Sequence, residues 1–393
     1  MNLSQRIQSV SASATIAITA RARELKDEGK PVVSFGAGEP DFDTPQFIKD
    51  ACIEALQEGD TKYTPRQGKA LLQAISEKLK KDNDLTYAPD QIVMTFGGKN
   101  ALYLAFQAVV DPGDEVLIPA PYWVSYPEQV QLAGGTPVIL ETSPDTGFKI
   151  TPEQVRRHAS AKAIVLNSPS NPTGIAYTPD ELAALAQACI DADLIVFSDE
   201  IYEKLIYGDA KFVSFATLAD GLIERTITLN GLSKTFSMTG WRLGWAAGPK
   251  DVIGGMRRLM SHATTNPTSF AQAGALAAYT DPRADEIVEQ MRREFEKRGR
   301  HMHERLNALP GVSCLPPAGA FYCFPDVSEH YGRTLGGVDV TDSMSFAQAA
   351  LEDVNVAVVP GGAFGEDRCI RLSFATGMEQ INEGLDRLAK MLG

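Results

Sequence analysis

The sequence predicts an α/β fold, with a mostly parallel central sheet in a large domain and a smaller α+β domain after it. Three observations carry this expectation. Short apolar runs of strand length recur along the first two thirds of the chain: IVMT (92–95), EVLIP (115–119), AIVLN (163–167), LIVFS (194–198) and TITLN (226–230). Strands buried on both faces need such unbroken apolar runs. Between them, segments such as PDELAALAQACIDAD (179–193) place apolar residues three and four apart, as a helix covering a sheet does. From about residue 283 the pattern changes. A charged helical stretch, PRADEIVEQMRREFEKRGRHMHERL, leads into short strand-like runs AFYCF (320–324), VAVV (356–359) and CIRLSF (369–374), the composition of an α+β unit. The expected division is a large domain over 46–290 and a smaller one built from 1–45 and 291–393.

Composition narrows the function. A chain of 393 residues that is 44% hydrophobic buries a large core and exceeds the usual single domain. Its 50 acidic and 37 basic residues give a net charge of -13, which argues against nucleic acid or an anionic membrane as partner. The N-terminal stretch lacks the continuous apolar core of a secretory signal, and no run is long enough to span a bilayer. Five cysteines, an odd number without a CxxC pair, fit reduced thiols in the cytoplasm. His301 and His303 stand two apart, on different faces of a helix, so no metal pair is expected there. There is no internal repeat.

In an open parallel sheet, ligands bind beyond the carboxyl ends of the strands, where loops and helix N-termini converge. AIVLN runs into Ser168-Pro169-Ser170-Asn171-Pro172-Thr173-Gly174, LIVFS into Asp199-Glu200-Ile201-Tyr202, and TITLN into Gly231-Leu232-Ser233-Lys234. An amide, a carboxylate with a phenol, and an ammonium would meet in one crevice if these strands are neighbours. Each alone has a plainer reading: a chain reversal for Asn171, a helix N-cap for Asp199, a solvated first-turn lysine for Lys234. A helix N-terminus disfavours a cation, however, and a lysine that loses its proton easily suits imine chemistry.

The stretch Thr95-Phe96-Gly97-Gly98-Lys99-Asn100-Ala101 follows a strand and opens a helix, so its N–H groups can cradle a phosphate. Neither GxxxxGK[ST] nor GxGxxG occurs, which favours a small phosphorylated cofactor over a nucleotide. Ser233 and Arg242 can complete the phosphate site, and Trp123 offers a flat face for an aromatic ring. Arg371, inside the strand-like CIRLSF, needs a partner: a substrate carboxylate or a buried Asp or Glu of the protein.

The motifs NSPSNPTG, SDEIYEKLIY and SKTFSMTGWRLGW, in this order, resemble those of the class I aminotransferases, pyridoxal-phosphate enzymes of fold type I. GEPDFDTP, YTPRQG, GGKNAL, PYWVSYPE, AGAFYCFP and PGGAFG extend the resemblance over nearly the whole chain, toward the bacterial aspartate and aspartate/prephenate enzymes. It implies pyridoxal 5'-phosphate as cofactor, with Lys234 holding its aldehyde and then moving the proton. Asp199 would pair with the pyridinium nitrogen, and Asn171 and Tyr202 with the ring's phenolate oxygen. Gly98, Lys99, Asn100, Ser233 and Arg242 match phosphate ligands, Trp123 would stack on the ring, and Gly38 and Arg371 would hold the substrate's α-carboxylate. Tyr63 matches a tyrosine that reaches the neighbouring subunit's cofactor, implying a homodimer with shared sites. Lys99 also matches a lysine that meets a distal carboxylate, so the resemblance points to transfer from L-aspartate to 2-oxoglutarate. Ser11 stands where prephenate-competent members carry a lysine, which argues against prephenate, and Arg66 and Gln67 depart from the usual small residues. The alternatives are transaminases for aromatic, alanine or branched-chain substrates, carbon–sulfur lyases of the same scaffold, and a non-catalytic sensor domain.

Overall fold

The computed structural model describes residues 2–8, 10, 14–63 and 68–393. Its strands are β1 (Val33–Ser34), β2 (Ile92–Thr95), β3 (Glu115–Pro119), β4 (Thr136–Leu140), β5 (Ala163–Asn167), β6 (Ile195–Asp199), β7 (Thr226–Gly231), β8 (Gly244–Ala247), β9 (Tyr322–Cys323), β10 (Thr334–Leu335), β11 (Val338–Asp339), β12 (Val356–Ala357), β13 (Val359–Pro360) and β14 (Ile370–Ser373). One seven-stranded sheet has the order β2-β8-β7-β6-β5-β3-β4. β8 runs antiparallel to both of its neighbours, and the other pairings are parallel. The five strands expected in this region are present within one residue of their expected ends.

The apolar runs are explained by helices on both faces of this sheet. In β3, Val116 and Ile118 pack with Phe106, Val165 and Phe197 on one side, while Leu117 packs with Ile164, Leu166 and Val196 on the other. The first side is covered by the helix Gly98–Val109, the second by Pro179–Asp191. The latter helix starts where TPDE dictates. Thr178 accepts from the Glu181 N–H, and the Glu181 carboxylate accepts from the Thr178 N–H at 2.7 Å, a reciprocal cap with proline at the first helical position.

The C-terminal third begins with a single helix, Ala284–Asn307. Phe295 and Met302 of that helix join Phe321, Tyr322, Leu372, Phe374 and Leu385 in one core, together with Val33 and Phe35 from the other end of the chain. β1 pairs in parallel with β12, and β13, β14 and β9 form a small antiparallel sheet in that order. VAVV, expected as one strand, is two. Val356–Ala357 pairs with β1 and Val359–Pro360 with β14, so the chain passes from one sheet to another at Val358. Among the described residues, no helix is long and apolar enough to cross a membrane.

Candidate active site

β5, β6 and β7 are neighbours, with Asn167 level with Asp199 and Asp199 level with Leu229. The three polar strand ends therefore converge. They open on a cavity of about 650 Å³ lined by Gly38, Gly98, Lys99, Trp123, Asn171, Asp199, Tyr202, Ser233, Lys234, Arg242 and Arg371. A carboxylate, an amide, a phenol and several cations share this space, with apolar and aromatic walls, as ligand sites do.

Lys234 sits in the one-turn helix Leu232–Thr235 that follows β7. Its Nζ donates to the Gly38 carbonyl and lies 5.5 Å from the Phe321 ring centroid. Burial brings its pKa down to about 8; Arg371 and Arg242 add to the effect, while Glu39 and Asp199 oppose it. The helix end is thus the lesser reason for the expected loss of a proton, because a single turn carries little dipole and desolvation dominates. Asp199, at the end of β6, accepts from the Tyr126 hydroxyl on Oδ2 at 2.7 Å and from the Ile201 N–H on Oδ1 at 3.3 Å. Burial raises its pKa despite these two bonds and the nearby Lys234.

Arg371 is buried on β14, and neither partner foreseen for it within the protein is there. Nη1 donates to Asn171 Oδ1 and Nη2 to the Gly36 carbonyl, each at 3.0 Å, and Nε has no acceptor among the described residues. The guanidinium lies between the rings of Tyr322 and Phe364, at 4.6 and 5.0 Å from their centroids. A buried guanidinium whose partners are all neutral carries a charge that no group of the protein compensates and that an anion in the cavity can pair with. Because Asn171 Oδ1 accepts from Arg371, the Asn171 amide NH₂ is left to donate. Tyr202 shares a hydrogen bond of 3.0 Å with Tyr322.

The turn before the helix Gly98–Val109 is built by glycines. Gly97 adopts φ 85°, and a Cβ on it would meet Arg242 Nη2 at 2.9 Å. A Cβ on Gly244 of β8 would come within 2.5 Å of the Gly97 carbonyl carbon and the Gly98 nitrogen. β8 can approach the turn only without a side chain there. Arg242 itself takes φ 56°, with Nη1 on the Thr239 carbonyl at 2.7 Å. Gly244→Ala should therefore push the turn outward, costing about 1–3 kcal/mol of stability and weakening phosphate binding; denaturant melts and titration with inorganic phosphate measure both.

Two of the expected site residues lie outside the cavity lining. Asn100 turns its Oδ1 back onto the Phe96 N–H at 3.2 Å and its own N–H onto the Gly97 carbonyl, so it shapes the turn. Tyr63 is 84% exposed on the surface, with its carbonyl held by Asn266. Ser11, Arg66 and Gln67 lie outside the described residues. The Lys99 ammonium stands 4.8 Å from the Trp123 ring centroid. Sequence reading missed Asn167, Tyr126 and Tyr322. Asn167 joins β5 to β6 through the Asp199 carbonyl and accepts from the Asn171 N–H. All three stood in the motifs quoted above, but no role was attached to them: Asn167 only closes the run AIVLN, and the two tyrosines carry no charge that would set them apart.

A cavity with a glycine-walled helix N-terminus, a buried carboxylate and a lysine near neutrality fits a phosphorylated pyridine aldehyde. The fold and this site define a class of protein, the pyridoxal-phosphate-dependent transaminases. The family model for aminotransferase class I and II matches residues 30–388, and the chain belongs to that family. Within it, the chain is similar to aspartate aminotransferases. That of Bacillus subtilis (strain 168) is 50% identical over 395 residues, covering 100% of this chain and 99% of the relative. The aspartate/prephenate aminotransferase of Cereibacter sphaeroides is 46% identical, covering 98% and 97%. Among solved structures, the aspartate aminotransferase from Thermus thermophilus with maleate superposes with a TM-score of 0.93 at 42% identity, covering 100% of both chains.

Proposed function

We propose that this chain transfers the amino group of L-aspartate to 2-oxoglutarate, giving oxaloacetate and L-glutamate in alternating half-reactions. The observation that carries the proposal is one cavity with two cations suited to two carboxylates: Arg371, buried with only neutral partners, and Lys99 over Trp123. Arg371 and Gly38 hold the α-carboxylate, and Lys99 meets the distal one.

When bound, pyridoxal phosphate supplies an aldehyde carbon and an electron-accepting ring. Lys234 would hold that carbon through Nζ and, with its amine free, would serve as the base that moves the proton at the substrate's Cα. Asp199 would pair with the ring nitrogen. Asn171, through its free NH₂, and Tyr202, through its hydroxyl, donate to the phenolate oxygen. Trp123 covers the ring face. Gly98 and Lys99, at the helix start, bind the phosphate with Ser233 and Arg242, in a turn that Asn100 fixes.

Residues 46–290 form the cofactor-binding domain in this reading, and 1–45 with 291–393 the smaller one. Tyr63 is exposed, as are Ile53 and Leu56 of the helix Gln46–Gln57, and these apolar groups on the surface support a homodimer in which Tyr63 reaches the partner's phosphate. Free cysteines, four of them buried, support a cytoplasmic setting.

The test is the half-reaction spectrum of the purified protein with a panel of amino acids. Aspartate and glutamate should convert the yellow form to the colourless amine form. Conversion by aromatic amino acids alone would overturn the substrate assignment.

A further inference from the structure

Tyr126 connects two residues of the site without being among those the sequence marked. It lies at the start of the helix Ser125–Ala133, is 3% exposed, and has its N–H bonded to the Trp123 carbonyl at 2.9 Å. Its hydroxyl donates to Asp199 Oδ2 at 2.7 Å, and its ring meets Trp123 edge-on, with centroids 5.5 Å apart at 83°. One side chain thus touches both the carboxylate assigned to the ring nitrogen and the indole assigned to the ring face.

A carboxylate has two oxygens and several lone pairs, and what occupies them decides how it is aimed. Oδ2 carries the short bond to the phenol, while Oδ1 has only the longer one to the Ile201 N–H. Oδ1 is therefore the oxygen with capacity left for a ligand. We infer that Tyr126 is a positioning residue for the cofactor's ring nitrogen: its hydroxyl fixes Asp199 Oδ2 so that Oδ1 faces the nitrogen. The inference rests on the assignment of Asp199 to that nitrogen. Burial and the Asp199 charge hold the Tyr126 phenol well above its ordinary pKa, so it remains a donor throughout the neutral range. It cannot exchange roles with the carboxylate.

The test compares pyridoxal phosphate with its carbocyclic analogue, in which C–H replaces the ring nitrogen. Each is titrated into wild-type and Tyr126→Phe protein stripped of cofactor, and binding is followed by absorbance. Phenylalanine keeps the ring against Trp123 and deletes only the hydroxyl. The variant should bind pyridoxal phosphate about 10-fold more weakly and the analogue within about twofold of wild type. Tyr126→His, which retains a donor, should recover part of the difference. Equal weakening toward both ligands would reduce Tyr126 to a packing role and overturn the inference, as would no weakening toward either. If wild type itself fails to prefer pyridoxal phosphate over the analogue, the Asp199 assignment falls and the inference with it. The half-reaction spectrum tests the proposed reaction separately.

Discussion

Lys234→Ala should lower turnover with aspartate and 2-oxoglutarate by at least ~10⁴-fold, because in the proposed role covalent attachment and proton transfer are lost together. Oxaloacetate release in steady state measures it, and turnover within ~10-fold of wild type would refute the role. The fold should not suffer. Lys234 binds its proton more tightly in the unfolded chain, at about 10.4, than in the folded one, at about 8. It therefore costs stability below pH 8, and the cost fades as pH rises toward the unfolded value. The alanine variant without cofactor should accordingly melt at or above the wild-type temperature near pH 7. A drop in melting temperature would mean that the bond to the Gly38 carbonyl stabilises more than burial costs.

Arg371→Ala should raise KM for aspartate and glutamate about 10²–10³-fold, the expected consequence of removing the cation proposed to face the α-carboxylate. The same change leaves Asn171 Oδ1 and the Gly36 carbonyl without their donors, so part of the loss falls on the residues that set the ring environment. Arg371→Lys should not restore function, since an ammonium lacks the planar fork that serves Asn171, Gly36 and an incoming carboxylate at once. Steady-state kinetics with both amino acids checks this. A KM within about threefold of wild type would place carboxylate recognition elsewhere.

The sheet was legible wherever burial on both faces forces unbroken apolar runs, as in AIVLN and TITLN, whose strands extend over 163–167 and 226–231. β4 escaped because it is an edge strand in which Pro137 leaves only the short run 138–140, with Ile139 exposed, and proline speaks against a strand. β8 escaped because Gly244 must be small to pass the Gly97–Gly98 turn, and small residues carry little strand signal. In the site, residues at strand ends could be found by the rule that ligands bind there. Arg371 could be noticed as a misplaced charge, but its neutral partners depend on contacts across two hundred residues and more. Tyr126 and Tyr322 look like core aromatics in sequence; only the positions of their hydroxyls set them apart.

The pairing of β1 with β12 has a consequence for how the chain is made. Val33 and Ser34 pair with Val356 and Ala357, more than three hundred residues later. At ~5–20 residues per second, roughly 15 to 60 s pass between emergence of the two strands from the ribosome. Throughout that interval Val33 and Phe35, fully buried in the finished core, belong to a segment with no edge to pair with, while the seven-stranded sheet can already be complete. A nascent chain halted after residue 290 should hold a formed central sheet and a tethered, protease-sensitive N-terminal arm. Release of the last hundred residues would then close the two ends of the chain together in a single late step.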